Sequence, residues 1–363
     1  MDQLLLEDIL LYILDKVDRE SLLNTSLVNR FWRRVALPNV FRWTRISGNW
    51  KVAGSQVERI LRCDMICSLV HKFIFRVEVW DGTYYTLAGT PLPFSGDRML
   101  PNCHLPTQLV KLLCKMPNLT SLEFFVPEDT TPLFADAFSE DGLRLPSISK
   151  LSVSPFCHFL VRLCPGLRQV ATSGEWQWMH SRRGALNRSH SFALMKSLAG
   201  LPIESFAMWE WWTPDILAAL FESLPNLKSL RMSGGGYRLK DHLTILSQFN
   251  ELESLELASV SYLSVGYHPP KCGSAYDGMT QEEHDFLDRQ FTAAKERAII
   301  YVAYACPTVK RLSFSANGSV IIRHNKHGIS YFDEETNVFH EISKDMNAVD
   351  SELEVDLGYG LEV

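Results

Sequence analysis

The chain has 363 residues, 46% of them hydrophobic, enough for one large or two ordinary domains with a substantial core. Lys and Arg number 36 against 42 Asp and Glu, a formal charge of -6, so nothing at whole-chain level points to binding a phosphate backbone, and nucleic acid is not an expected partner. No uninterrupted run of about eighteen apolar residues suggests a membrane span, and the opening MDQLLLEDILLYILDKVD carries Asp2, Glu7, Asp8 and Asp15 where a secretory signal would have a basic region and small residues. Three short amphipathic helices account for the first forty or so residues. Ile9, Leu10, Ile13, Leu14 and Val17 recur at helical spacing in the first, Leu22, Leu23 and Leu27 in the second, and Val28, Phe31, Trp32 and Val35 in the third. Asp18 is placed to cap the second helix, and Pro38 is expected to stop the third. A unit this small buries too little surface to be comfortable alone, so its remaining apolar side chains need a neighbour.

Leu5, Asp8, Ile9, Leu10, Ile13 and Leu14, then Asp18, Leu22 and Leu23, then LVNRFWRRVA with Val28, Arg30, Trp32 and Arg33, resemble an F-box over roughly the first 45 residues. Leu6 stands where that family has Pro, and Asp8 where it has Glu. The resemblance implies docking on the adaptor subunit of an SCF-type cullin–RING ubiquitin ligase, through Leu5, Leu6, Ile9, Leu10, Ile13, Leu14, Leu22, Leu23, Val28 and Trp32. An interface with an apolar centre and polar rim would cover such side chains. The alternative is that these helices only cap the body of the protein. Arg30, Arg33 and Arg34 fit the solvent face of a helix better than a nucleic-acid patch.

Beyond Trp43 one pattern returns: an apolar residue, two variable ones, an apolar one, any residue, another apolar one. It occurs in VHKFIF, LTSLEF, ISKLSV, LRQVAT, IESFAM, LKSLRM, LESLEL and VKRLSF, several of them introduced by phrases such as KMPNL, SLPNL or ACPTV and preceded by helical stretches. Helix, turn and short strand in repetition resemble a divergent leucine-rich-repeat array over roughly residues 55 to 315. With the anchors facing inward, the residues between and just after them point to the open sheet face. Those are Ile74 and Arg76, Glu123 and Phe125, Ser152 and Ser154, Ala171 and Ser173, Ala207 and Trp209, Arg231 and Ser233, Glu256 and Ala258, Ser313 and Ser315. This mixed surface suits a protein partner, with Phe125, Trp209, Arg231 and Glu256 the expected target contacts. Trp176, Trp178, Trp209, Trp211 and Trp212 form an aromatic cluster in which Trp211 is expected to point inward, with Arg182 and Arg183 at its edge.

SVGYHPPKCGSAYDG, residues 264–278, reads as a turn-rich insertion, and Thr280 with Glu283 as a capping box opening a long helix. SVIIRH and GISYF around NKHG read as a hairpin, and the residues after them as an acidic tail. MSGGGYRL lacks the spacing of a nucleotide loop and reads as a strand-to-helix turn. Cys63 with Cys67, Cys103 with His104 and Cys157 with His158 lack a second ligand pair at zinc spacing, and the eight Cys behave as small hydrophobes in a reducing compartment, cytosol or nucleus.

The expected fold class is therefore α/β: a three-helix F-box over 1–45, a leucine-rich-repeat-like solenoid with a curved, mostly parallel sheet and outer helices over 46–315, and a hairpin cap with an acidic tail over 316–363. The expected function is that of a non-enzymatic target receptor, without catalytic residues, metal or cofactor. Its partners would be the adaptor and through it the cullin, plus a target protein, with no nucleic acid and no membrane.

Overall fold

The computed structural model describes residues 3–77, 100–139, 143–172, 184–267, 269, 278–315, 317–326 and 328–342, with side chains from residue 9 in the first segment and from 188 in the fourth. They fall into two compact units, Met1–Arg168 and Gln169–Val363.

The first unit opens with α1 (Gln3–Leu14), α2 (Arg19–Val28) and α3 (Arg30–Phe41). Asp18 caps α2 by accepting the Ser21 N–H at 3.0 Å, and Asn29 caps α3 by accepting the Trp32 N–H at 3.0 Å. That second cap separates the helices where the apolar spacing ran them together, leaving Val28 as the last residue of α2. Pro38 does not stop α3, which continues to Phe41. A proline removes one donor and crowds one carbonyl, a local cost that burial of Val35, Ala36 and Val40 in the same helix offsets. β1 (Trp43–Gly48), α4 (Trp50–Leu61), α5 (Asp64–Leu69), β2 (Lys72–Val77), α6 (Leu105–Cys114), β3 (Ser121–Phe125), α7 (Thr131–Ala137) and β4 (Lys150–Val153) follow. The strands pair in parallel, in chain order, so that Thr44, Phe73, Leu122 and Leu151 form one buried row and Ile46, Phe75, Phe124 and Val153 the next. Phe75 stacks on Phe124 at 5.6 Å between ring centroids, and Phe134 of α7 meets Phe124 edge-on at 5.5 Å, which fastens the helical layer to the sheet.

The second unit runs β5 (Gln169–Thr172), α8 (Gly184–Leu198), β6 (Ser205–Trp209), α9 (Pro214–Ser223), β7 (Ser229–Ser233), α10 (Leu239–Leu246), β8 (Ser254–Leu257), α11 (Gln281–Ala305) and β9 (Arg311–Phe314). β5 to β9 are parallel in chain order, with Val170, Phe206, Leu230, Leu255 and Leu312 in one buried row. The Thr280–Glu283 capping box opens α11: the Glu283 carboxylate accepts the Thr280 N–H at 2.7 Å while Thr280 Oγ1 accepts the Glu283 N–H. β10 (Ser319–Asn325) and β11 (Gly328–Asp333) make the expected hairpin. A further strand, β12 (Val338–Ile342), lies within the stretch read from sequence as acidic tail. Asp333 turns the chain toward it by accepting the Glu335 N–H at 2.9 Å, and Phe339 pairs opposite Phe332. Charge composition hides a strand when its alternating apolar residues are few.

One hydrogen-bond device recurs at the strand entries. Thr120 and Ser121 both donate their N–H to the His71 carbonyl, Ser149 and Lys150 to that of Thr120, Lys228 and Ser229 to that of Glu204, Glu253 and Ser254 to that of Lys228, and Lys310 and Arg311 to that of Glu253. Each strand thus enters at a fixed offset from the one before, which keeps the apolar rows in register.

Candidate functional site

The three N-terminal helices have their own small core of Leu14, Leu22, Val35, Ala36 and Val40, against which Leu10, Leu11, Val17, Phe31 and Phe41 pack. Arg33 donates from Nε to the Ser26 carbonyl at 3.2 Å, Asn39 reaches the Leu11 carbonyl at 3.4 Å, and Arg42 pairs with Asp15, so polar ties lock the helices around that core. The hydrogen bonds from the Ser21 hydroxyl and N–H hold the Asp18 carboxyl below the usual carboxylate range, keeping the α2 cap charged.

Two outward apolar stripes remain. On α1, Ile9 (50% exposed), Tyr12 (71%) and Ile13 (51%) share one face; on α2, Leu23 (44%), Leu27 (71%) and Val28 (67%) stand toward solvent. Isolated exposed apolar residues are ordinary, but several large ones on a three-helix unit are what a partner surface requires. Of the expected adaptor contacts, Ile9, Ile13, Leu23 and Val28 are exposed, while Leu10 and Trp32 are partly covered. Leu14 and Leu22, each 5% exposed, belong to the small core and lie off the uncovered stripes, unlike Ile9, Ile13, Leu23 and Val28 on the same helices. The side chains of Leu5 and Leu6 lie outside the described residues. Tyr12 and Leu27 are missing from the expected set, although both continue the helical spacing of Ile9 and Leu23. Arg30, Arg33, Arg34, Leu37 and Pro38 of α3 and Met65 and Leu69 of α5 line a groove of about 360 Å³.

The expected target contacts are placed unequally. Trp209, Arg231 and Glu256 share one face of β6 to β8, Arg231 lying opposite Glu256 and donating to its carboxylate at 2.5 Å. Trp209 is half-buried and its N–H donates to Thr172 Oγ1 at 3.1 Å. Phe125 is 1% exposed, with the Arg76 guanidinium 5.0 Å from its ring centroid, and is not available to a target. Ser154 and Ala258, expected on the same face, are buried too. Inward and outward sides alternate only while a strand lasts: β4 ends at Val153 and β8 at Leu257, so the next residue already belongs to the loop that folds back over the sheet end.

The same physics reverses the tryptophans. β6 ends at Trp209, after which Trp211 is 55% exposed and Trp212 3% exposed, its Nε1 donating to the Ser233 carbonyl at 3.0 Å. The SGGGY turn explains why: a Cβ at Gly235 would come within 2.5 Å of the Trp211 ring, and one at Gly234, whose φ is +122°, within 2.2 Å of the Glu210 carbonyl oxygen. The glycines form a floor for Trp211. Beneath lies the buried Glu210, which accepts from the Ser191 hydroxyl at 2.6 Å and from the Trp211 N–H at 2.9 Å. Trp176, Trp178, Ser173, Arg182 and Arg183, and most of the 264–278 insertion, fall outside the described residues.

Sequence reasoning also passed over the residue preceding the second anchor of each repeat, which shares the open face with the residue between anchors. In the first unit this adds Lys72, Ser121 and Lys150, and β1 contributes Trp43 and Arg45. Among the described residues, no His, Cys, Asp and Glu side chains converge as a set able to hold a metal, and no helix is long and apolar enough to cross a membrane.

No curated protein matches the chain. Residues 4–43, which run from the second residue of α1 through α3 to the first residue of β1, match the F-box domain family, so the helices with the uncovered apolar stripes are an F-box domain.

Proposed function

We propose that this chain is the target-binding subunit of an SCF-type cullin–RING ubiquitin ligase. F-box domains generally bind the SCF adaptor, and the observation that carries the proposal is that Ile9, Tyr12, Ile13, Leu23, Leu27 and Val28 are left uncovered on the F-box. Covering them with the adaptor would link the chain to the cullin. Beyond the F-box and up to about residue 315, the described helices and strands of each unit are divergent leucine-rich-repeat-type repeats. Support comes from the parallel strands in chain order, the intervening helices and the repeated strand-entry hydrogen bonds. The sheet face holds a target protein, and the chain itself performs no chemistry: the gain in transfer rate is the effective concentration obtained by tethering target and transfer machinery together. Buried thiols at Cys67, Cys157, Cys164 and Cys306, none of them in a disulfide, suit the reducing interior of the cell.

Co-expression with the SCF adaptor and affinity purification tests this. Stoichiometric capture of the adaptor by the full chain, lost in a Tyr12→Ala, Leu27→Ala variant that stays folded by circular dichroism, is the expected result. Equal capture by both proteins would reject it.

A further inference from the structure

Among the described residues, the open face of the first unit is basic in a chain whose formal charge is -6. Register places Trp43, Lys72, Ser121 and Lys150 side by side in one row across β1 to β4, and Arg45, Ile74, Glu123 and Ser152 in the next. Arg76 stands one step further along β2. Among the described residues, Arg45, Lys72 and Lys150 thus face one carboxylate, Glu123, which Lys72 engages at 2.5 Å. Arg45 and Lys150 are exposed, and among the described residues no carboxylate pairs with either. Trp43 is 63% exposed, with the Lys72 ammonium 5.4 Å from its ring centroid. The second unit is different: on its open face Arg231 is matched by Glu256 and Arg311 by Glu334.

We infer that this face of β1 to β4 docks an extended, carboxylate-rich segment of a protein partner, with an apolar side chain of that segment against Trp43. The inference rests on the target-binding role proposed above and specifies the class of target. Adjacent strands lie ~4.8 Å apart, so Arg45 on β1 and Lys150 on β4, which are also two residues apart along the strands, are separated by ~14 Å across the sheet and ~16 Å in all, too far for a single phosphate to bridge. An extended segment rising ~3.3 Å per residue covers that distance in about four to five residues. Carboxylates spaced about four apart therefore match the cations, and the charge complementarity favours this occupant over a neutral or basic one.

The test uses the purified full chain and fluorescence anisotropy with three labelled peptides. One carries Glu at every fourth position and a single Leu, the second has Lys in place of each Glu, and the third is neutral with one phosphoserine. The acidic peptide is expected to bind, losing about tenfold in affinity from ~0.05 to ~0.5 M salt as screening sets in. Arg45→Glu and Lys150→Glu are each expected to weaken it by about tenfold, as reversal of an exposed interfacial charge does when the partner is of opposite sign. Equal binding of the Lys or phosphoserine peptide, or charge reversals without effect, would overturn the inference. Adaptor capture on the same samples separates the two claims. Capture of the adaptor without the acidic peptide overturns the basic face alone, and capture of the peptide without the adaptor overturns the ligase role while upholding the face.

Discussion

Truncating Leu27 separates docking from folding. Its side chain is 71% exposed near the end of α2, and Leu→Ala at a helical site carries almost no propensity cost, so the free chain should change in stability by less than about 0.5 kcal/mol. If the adaptor covers it, the interface loses the uncovered share of the ~1.5–3 kcal/mol that full burial of a Leu is worth, or about 1–2 kcal/mol. That raises the adaptor Kd by about five- to thirtyfold. Tyr12 is equally exposed on α1, and adding Tyr12→Ala should bring the loss to ~2–4 kcal/mol if the two sites act independently. Calorimetric titration of purified adaptor into each variant measures the first quantity, and thermal melting of the uncomplexed chain the second. An unchanged Kd in the double variant, with melting unaltered, would refute docking through these stripes. A lowered melting temperature would show instead that the stripes are packed.

Leu14→Ala should act in the opposite sense, costing about 2–5 kcal/mol because it opens a cavity in a five-residue core, and adaptor binding would disappear with the fold of α1 to α3, visible as lost hydrogen-exchange protection there. Trp212→Ala should cost about 3–5 kcal/mol by thermal melting, whereas Trp211→Ala should stay within about 1 kcal/mol, since the first side chain is buried and the second lies on the glycine turn. Burial opposes ionisation of Asp333, but the 2.9 Å hydrogen bond from Lys295 and the N–H groups of Glu335 and Thr336 outweigh it and hold the carboxyl below its usual range. A depressed folded pKa gives stability that is complete above the unfolded value of about 3.9 and is lost as pH falls through the folded one. Asp333→Asn should therefore lower the melting temperature at neutral pH, through a loss of up to about 3–5 kcal/mol because it removes the nearer partner of Lys295 and leaves only Glu335 at 3.7 Å, and progressively less as pH falls below about 3.9 toward the folded pKa. Burial pushes the Cys164 and Cys306 thiols up to about 12, so iodoacetamide at mildly alkaline pH should label the exposed Cys103 and Cys114 before either of them, as peptide mapping would show.

Local patterns in the sequence were enough to place most elements. Thr280 and Glu283 announce the start of α11 because a capping box involves only residues three apart, and Asp18 announces α2 for the same reason. The repeated anchors mark the buried rows, since side-chain period two and the helix-turn-strand alternation are both written locally. β1 escaped because its apolar content is small: Trp43 faces solvent and Thr44 takes an anchor position. Asn29, the cap that divides α2 from α3, escaped because apolar spacing continues across it.

What the sequence by itself determined, then, was which segments become helix or strand for most of the chain, which positions in them are apolar anchors, and the F-box motif at residues 4–43, because these follow from periodicity, caps and a motif of contiguous residues. Which of those apolar residues are spent on the protein's own core was decided only by tertiary structure. Leu14 and Leu27 look alike in an amphipathic pattern, and so do Trp211 and Trp212, yet one of each pair is buried and the other faces solvent. Burial depends on where strands end and which neighbours arrive from distant parts of the chain, and hydrophobicity read along the chain carries no record of either.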